Sequence, residues 1–126
     1  METRLEGDYP TNKEIELPVF AKWFDFVKWL MPLTEKLPKK LRFSITNRIN
    51  NLALDVVEDL VEARYSRNKA VSLRSANLRL EKLRILFRLC VEQQLMPHKT
   101  YLHAIKAINE TGKMLGGWMK QQEARS

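Results

Sequence analysis

The 126 residues carry 22 Lys and Arg against 15 Asp and Glu, with 44% hydrophobic residues, four Gly and five Pro, which allows one domain with a real core. A single cysteine, Cys90, excludes an internal disulfide, and residues 17–37, the longest apolar-rich stretch, hold Lys22, Asp25, Lys28, Glu35 and Lys36, too many charges for a membrane span. No apolar run follows Met1, so the expectation is a soluble, cytoplasmic protein of all-α class, since helical spacing recurs and no strand-length alternation stands out.

Residues 1–16 show no helical period and are expected to be a mobile leader, followed by a four-helix bundle over 17–122 and a tail over 123–126. Helix one is predicted from about Pro18 to about Lys36, with Pro32 kinking its end and Pro38 closing the connection. Its aromatics, Phe20, Trp23, Phe24, Phe26 and Trp29, spread around most of the circumference. Leaving even two of them exposed would create a patch near the upper limit tolerated by soluble monomers, so about half of these rings are expected to meet a second subunit.

Helix two is predicted from about Lys40 to Ala70, because Ile45, Ile49, Leu52, Val56 and Leu60 keep a three-to-four spacing without Gly or Pro. Asp55, Glu58, Asp59 and Glu62 form an acidic stripe on it, suited to pairing with Arg or Lys. Ser72 is the expected N-cap of helix three, which runs to about Gln93 or Gln94. After a turn at Met96, Pro97 and His98, helix four spans about Thr100 to Gln121. Short connections between consecutive helices imply an up-down-up-down bundle.

Helix three carries the main functional signal. Between Arg64 and Arg88, eight of nine charged residues are basic (Arg64, Arg67, Lys69, Arg74, Arg79, Lys82, Arg84, Arg88), with Glu81 the exception. Such a concentration points to a polyanion. Leu73, Ala76, Leu80, Leu83, Phe87 and Cys90 form one apolar seam, expected to face the protomer's own helices. Val71, Leu78, Ile85 and Leu89 form a second seam, nearly opposite, which calls for a neighbour on that side. Arg74, Asn77, Glu81, Arg84 and Arg88 make a third row; one carboxylate cannot neutralise three guanidiniums, and phosphate would satisfy the remainder. The plainer reading is a solvated face in which Glu81 pairs with Arg84 and Arg88.

On helix four, Lys99, Lys106, Lys113 and Lys120 form an every-seventh-residue row, read first as a solvated edge. Gly112, Gly116 and Gly117 suggest close backbone packing or a C-terminal break, with Trp118 beside them. Catalytic patterns are absent: His98 and His103 lack di-iron spacing, Cys90 lies on a packing seam, and no phosphate-cradling Gly loop or zinc motif occurs. No catalysis, metal or cofactor is expected.

The proline-bearing aromatic first helix ending in Leu37-Pro38-Lys39-Lys40, the Leu83-Arg84 step followed by Arg88, and the closing Gly112-Lys113-Met114-Leu115-Gly116-Gly117-Trp118 occur in a characteristic order. In these the chain resembles, over about residues 19–121, the accessory variability determinant proteins of diversity-generating retroelements. These belong to a wider group of four-helix-bundle proteins that includes those encoded by ribosomal RNA intervening sequences. The resemblance implies a homopentameric, positively charged barrel that binds the element's reverse transcriptase and its RNA or DNA and supports mutagenic retrohoming. It implies that Arg84 and Arg88 occupy the family's basic pair, and Lys113 the basic place before the terminal Leu-Gly-x-Trp.

The expected nucleic-acid contacts are Arg84, Arg88, Arg74, Arg79 and Lys82 on helix three, Arg64 and Arg67 before it, Lys39, Lys40 and Arg42 after helix one, and Lys113. The expected oligomer contacts are Phe20, Trp23, Phe24, Phe26, Trp29, Leu78, Ile85, Leu89 and Trp118. The competing reading is a structural or ribosome-associated adaptor whose basic faces meet an acidic protein and not bare nucleic acid.

Overall fold

The apolar spacing is realised as four α-helices: α1 (Glu16–Thr34), α2 (Asn47–Tyr65), α3 (Lys69–Glu92) and α4 (His98–Arg125). The computed structural model describes residues 16–125 and contains no β-strand among them. Except for Glu16, the expected leader lies outside the described residues, and the expected tail is helical through Arg125. Helix α1 packs on α2 and α4, and α3 packs on the same two, so the helices close a four-helix bundle.

Pro32 lies in the last turn of α1, and the helix ends two residues beyond it at Thr34. The Leu37 and Lys36 amides bond back to the Thr34 and Leu33 carbonyls, and Pro38 opens an irregular entry to α2. That entry is a 3₁₀ turn (Lys39–Leu41) followed by a π-helical turn (Arg42–Thr46), where the spacing predicts regular helix from Lys40. The far end of α2 also differs: the helix stops at Tyr65, not near Ala70, and Ser66 is extended. The cause lies in side chains that offer the backbone other partners. Lys69 Nζ donates to the carbonyls of Ala63 (2.7 Å), Arg64 (3.0 Å) and Ser66 (3.2 Å), which caps the negative end of α2. The expected N-cap Ser72 is thus an interior residue of α3, buried, with its hydroxyl 3.5 Å from the Glu62 carboxylate.

The first seam of α3 is the core seam: Leu73, Ala76, Leu80, Leu83, Phe87 and Cys90 are all 0% exposed. Each large side chain buried there contributes roughly 1.5–3 kcal/mol. Against it lie Trp23, Phe26 and Leu30 of α1, Ile49 and Val56 of α2, and Ile108, Leu115 and Trp118 of α4. Trp23, Phe26 and Trp118 are therefore not oligomer contacts. They are 0%, 4% and 1% exposed, and Trp23 Nε1 donates to the Ala53 carbonyl at 2.9 Å. Part of the wide aromatic arc of α1 is met within the protomer: Phe26 packs edge-on to Phe87 of α3 at 6.4 Å, and Trp29 lies tilted against His103 of α4 at 4.3 Å.

Among the α4 glycines only Gly112 meets a close neighbour, since a Cβ there would stand 3.3 Å from Arg84 Nη2. At Gly116 and Gly117 the space is open and the helix continues, so neither close packing nor a C-terminal break accounts for them.

Arg79 of α3 pairs with two carboxylates of α2 across the α2–α3 interface. Arg79 Nη1 donates to Asp59 Oδ1 (2.9 Å) and Oδ2 (2.7 Å) and to the Ser75 hydroxyl, and its Nε lies 3.7 Å from Asp55. Asp59 is only 6% exposed. Its burial raises the carboxyl above the ordinary 3.8, an effect opposed by the Arg79 hydrogen bond and charge; Arg79 is itself held above its ordinary value by that bond.

The helix end and the ion pair each make a measurable difference to stability. α3 ends in a left-handed residue, Gln94 (φ 58°), with Leu95 N bonded to Cys90 O and Gln94 N to Val91 O, the arrangement in which glycine is favoured. Gln94→Gly should stabilise the fold by about 0.5–1 kcal/mol in urea unfolding. Arg79→Ala should cost about 2–4 kcal/mol at pH 7, because it strands a buried carboxylate. The folded Asp59 then binds its proton more tightly than the unfolded chain does, so the loss should shrink as pH falls toward 3.8. Thermal melts across that range test this, and a pH-independent loss would exclude the stranded carboxylate as its cause.

Candidate nucleic-acid interface

The register that buries the core seam turns Val71, Leu78, Ile85 and Leu89 outward, at 57%, 56%, 54% and 41% exposure. At ~100° per residue, the basic residues of α3 fall on either side of this seam. Lys82 lies on the α2 side, in a groove of about 490 Å³ with Ile85, Leu86, Glu81 and, from α2, Arg48, Asn51, Leu52 and Asp55. Arg74 lies on the α4 side, in a pocket with Ala70, Met119, Gln122 and Glu123.

The predicted cations separate by what holds them. Arg79 is committed to Asp59 and Asp55 and is withdrawn from the expected nucleic-acid set. Arg84 is half-buried: its Nε donates to Asn109 at 2.8 Å, its Nη1 to Glu81 at 2.7 Å, and its Nη2 lies over Gly112. It ties α3 to α4, and the open backbone at Gly112 leaves room for it. Arg88 pairs with Glu92 at 2.9 Å, but both side chains are more than half exposed. The bond holds Arg88 above its ordinary pKa, yet a pair this exposed is screened by solvent and adds little to stability. Glu81 thus serves Arg84 and not Arg88. Arg74 and Lys82 are exposed and have no acidic partner among the described residues.

The other expected contacts are dispersed. Arg67 is exposed in the α2–α3 connection, and half-buried Arg64 stands over the Tyr65 ring at 5.5 Å. Lys39, Lys40 and Arg42 are exposed at the opposite end of the bundle. Lys113 is exposed on α4 with Lys99, Lys106 and Lys120. Glu110 turns instead to Lys22 of α1 at 2.6 Å, and that bond holds its carboxyl below the usual range. Of the expected oligomer contacts, Phe20 is half-buried and stacks on the 45% exposed Phe24 at 5.6 Å.

Sequence reasoning passed over Arg48, Phe43 and the exposed Leu54, Val61 and Tyr65 of α2. The π-helical entry to α2 removes Phe43 from any clean helical row, whereas Arg48 lies in the first turn of regular α2. Cys90 is buried, which pushes its thiol up and leaves it inert. No group of three His, Cys, Asp or Glu side chains among the described residues could hold a metal ion, and no helix is long and apolar enough to cross a membrane.

In fold the chain is similar to a Bacteroides thetaiotaomicron VPI-5482 protein of unknown function from the S23 ribosomal protein family. The TM-score is 0.77 at 15% identity, over 84% of this chain and 98% of that one. No curated protein matches the chain. A family model described as bAvd-like matches residues 19–122, and the chain accordingly belongs to the bAvd-like family of accessory, noncatalytic proteins.

Proposed function

We propose that this accessory protein serves a diversity-generating retroelement, binding its reverse transcriptase and holding template RNA or cDNA beside that enzyme for mutagenic retrohoming. The observation that carries the reading is the sorting of α3 cations: Arg74 and Lys82 lack acidic partners among the described residues, and Arg88 is held only by an exposed pair. Internal neutralisation therefore leaves positive charge beside an uncovered apolar seam. Identical copies meeting along that seam, five of them as the family resemblance implies, would concentrate the charge into one electropositive surface.

If about six phosphates are neutralised, affinity for RNA or DNA should fall by ~10³ between ~50 and ~200 mM salt, with little sequence preference. The double variant Arg74→Ala/Lys82→Ala should weaken binding and lower the salt slope by about one for each phosphate no longer neutralised, with unchanged circular dichroism. It is a cleaner test than replacing Arg84, whose removal also unties α3 from Asn109. An unchanged slope removes α3 from the interface. An absent electrophoretic shift with bare RNA and DNA near physiological salt points to the acidic-protein adaptor.

Ile85→Asp, at a position already 54% exposed, should preserve helicity and reduce the assembly to the 14.9 kDa protomer in light scattering. A parent protein that is already a monomer overturns the assembly.

A further inference from the structure

At the α1–α2 junction the backbone leaves regular helix and the charge becomes one-sided. From Lys36 through Arg48 every charged residue is a cation (Lys36, Lys39, Lys40, Arg42, Arg48), and all five are exposed with no ion pair among the described residues. In their midst Phe43 stands 86% exposed, the most open large apolar side chain described. An isolated exposed ring is ordinary on a protein surface. A ring flanked in sequence by unpaired cations has more specific chemistry, because its flat face accepts another π-system while its neighbours accept anions.

A concave site adjoins it. A pocket of about 360 Å³ is lined by Lys39 and Arg42, by Asn47 and Asn50, and by Thr34 and Thr46, with Glu35 as its one carboxylate. Thr34 donates to Asn50 Oδ1 at 3.0 Å, whereas Thr46, 9% exposed, keeps a buried hydroxyl with no partner among the described residues. Two cations and two amides around a cavity of this size suit a phosphodiester unit.

We propose that this turn is a contact for single-stranded nucleic acid, in which an unpaired base stacks on Phe43 and a neighbouring phosphate is held by Lys39 and Arg42. The inference rests on the nucleic-acid reading above and narrows it, since only an unpaired base offers a free face to the ring. The geometry favours this occupant over an acidic protein segment, which would match the cations and leave the ring without a stacking partner.

Anisotropy with a labelled uridine oligomer and with an RNA duplex tests it on the full chain. Phe43→Ala should weaken oligomer binding roughly tenfold, spare duplex binding and leave the light-scattering mass unchanged; Phe43→Trp should restore binding. Lys39→Gln/Arg42→Gln should weaken both ligands and lower the salt slope. Parental affinity in Phe43→Ala overturns the stacking contact, as does an altered mass, which would assign the ring to a second copy. Binding of polyglutamate in place of RNA overturns it in favour of an acidic partner. If the parent binds RNA and Arg74→Ala/Lys82→Ala weakens it while Phe43→Ala does not, this inference alone fails; if the parent binds no nucleic acid, both fail.

Discussion

The buried carboxylate of Asp59 constrains the rest of the molecule. Removing a carboxylate from water costs several kcal/mol, and at Asp59 burial outweighs the Arg79 contacts, so that cost is offset only in part by the one guanidinium nitrogen that reaches both oxygens. A pairing that strict fixes how α3 is rotated against α2. With Arg79 turned to α2, the Leu73-to-Cys90 seam faces inward, Arg84 falls over Gly112 of α4, and Val71, Leu78, Ile85 and Leu89 are left outside. The outward apolar strip is thus a consequence of a polar constraint as much as of hydrophobic spacing.

That rotation also grades the cations energetically. Arg79 and Lys69 serve the fold, one neutralising a buried charge and the other capping α2. Arg84 is intermediate, since releasing it would break bonds to both Asn109 and Glu81. Arg88 gives up only an exposed pair, and Arg74 and Lys82 give up no ion pair among the described residues. A phosphate entering from solvent therefore meets rising resistance from Lys82 and Arg74, through Arg88, to Arg84. A high local density of basic residues overstates the charge available to a ligand.

The core of α3 was legible because the 3-4 spacing of Leu73 through Cys90 is a local property of the chain. Helix ends were less so: Ser66 and Asn68 carry no Gly or Pro signal, and the break between α2 and α3 depends on Lys69 reaching back to three carbonyls. The aromatics of α1 misled because circumference shows only how many neighbours a helix needs. It does not say whether α2 and α4 suffice, and for Trp23 and Phe26 they do with α3. The fate of Arg79 was half legible. The acidic stripe on α2 announced a basic partner, but which arginine it took depended on how two helices meet across 20 residues of sequence. Phe43 was hidden by its π-helical turn, where neither a period of 3.6 nor an ordinary turn residue marks the backbone.

On α3 the proposed assembly and the proposed ligand do not compete for the same atoms. The seam occupies the outward midline, with Lys82 toward α2 and Arg74 and Arg88 toward α4. A copy covering the seam would bury Leu78 and Ile85, gaining apolar area, while bringing its own cations close to these. The repulsion this creates is modest at the protein surface but cumulative around a ring, and it opposes closure. A polyanion along the rim would remove that repulsion and release its own counterions in doing so. The two equilibria are then linked with one sign: whatever free energy nucleic acid contributes to assembly, assembly returns to nucleic-acid affinity.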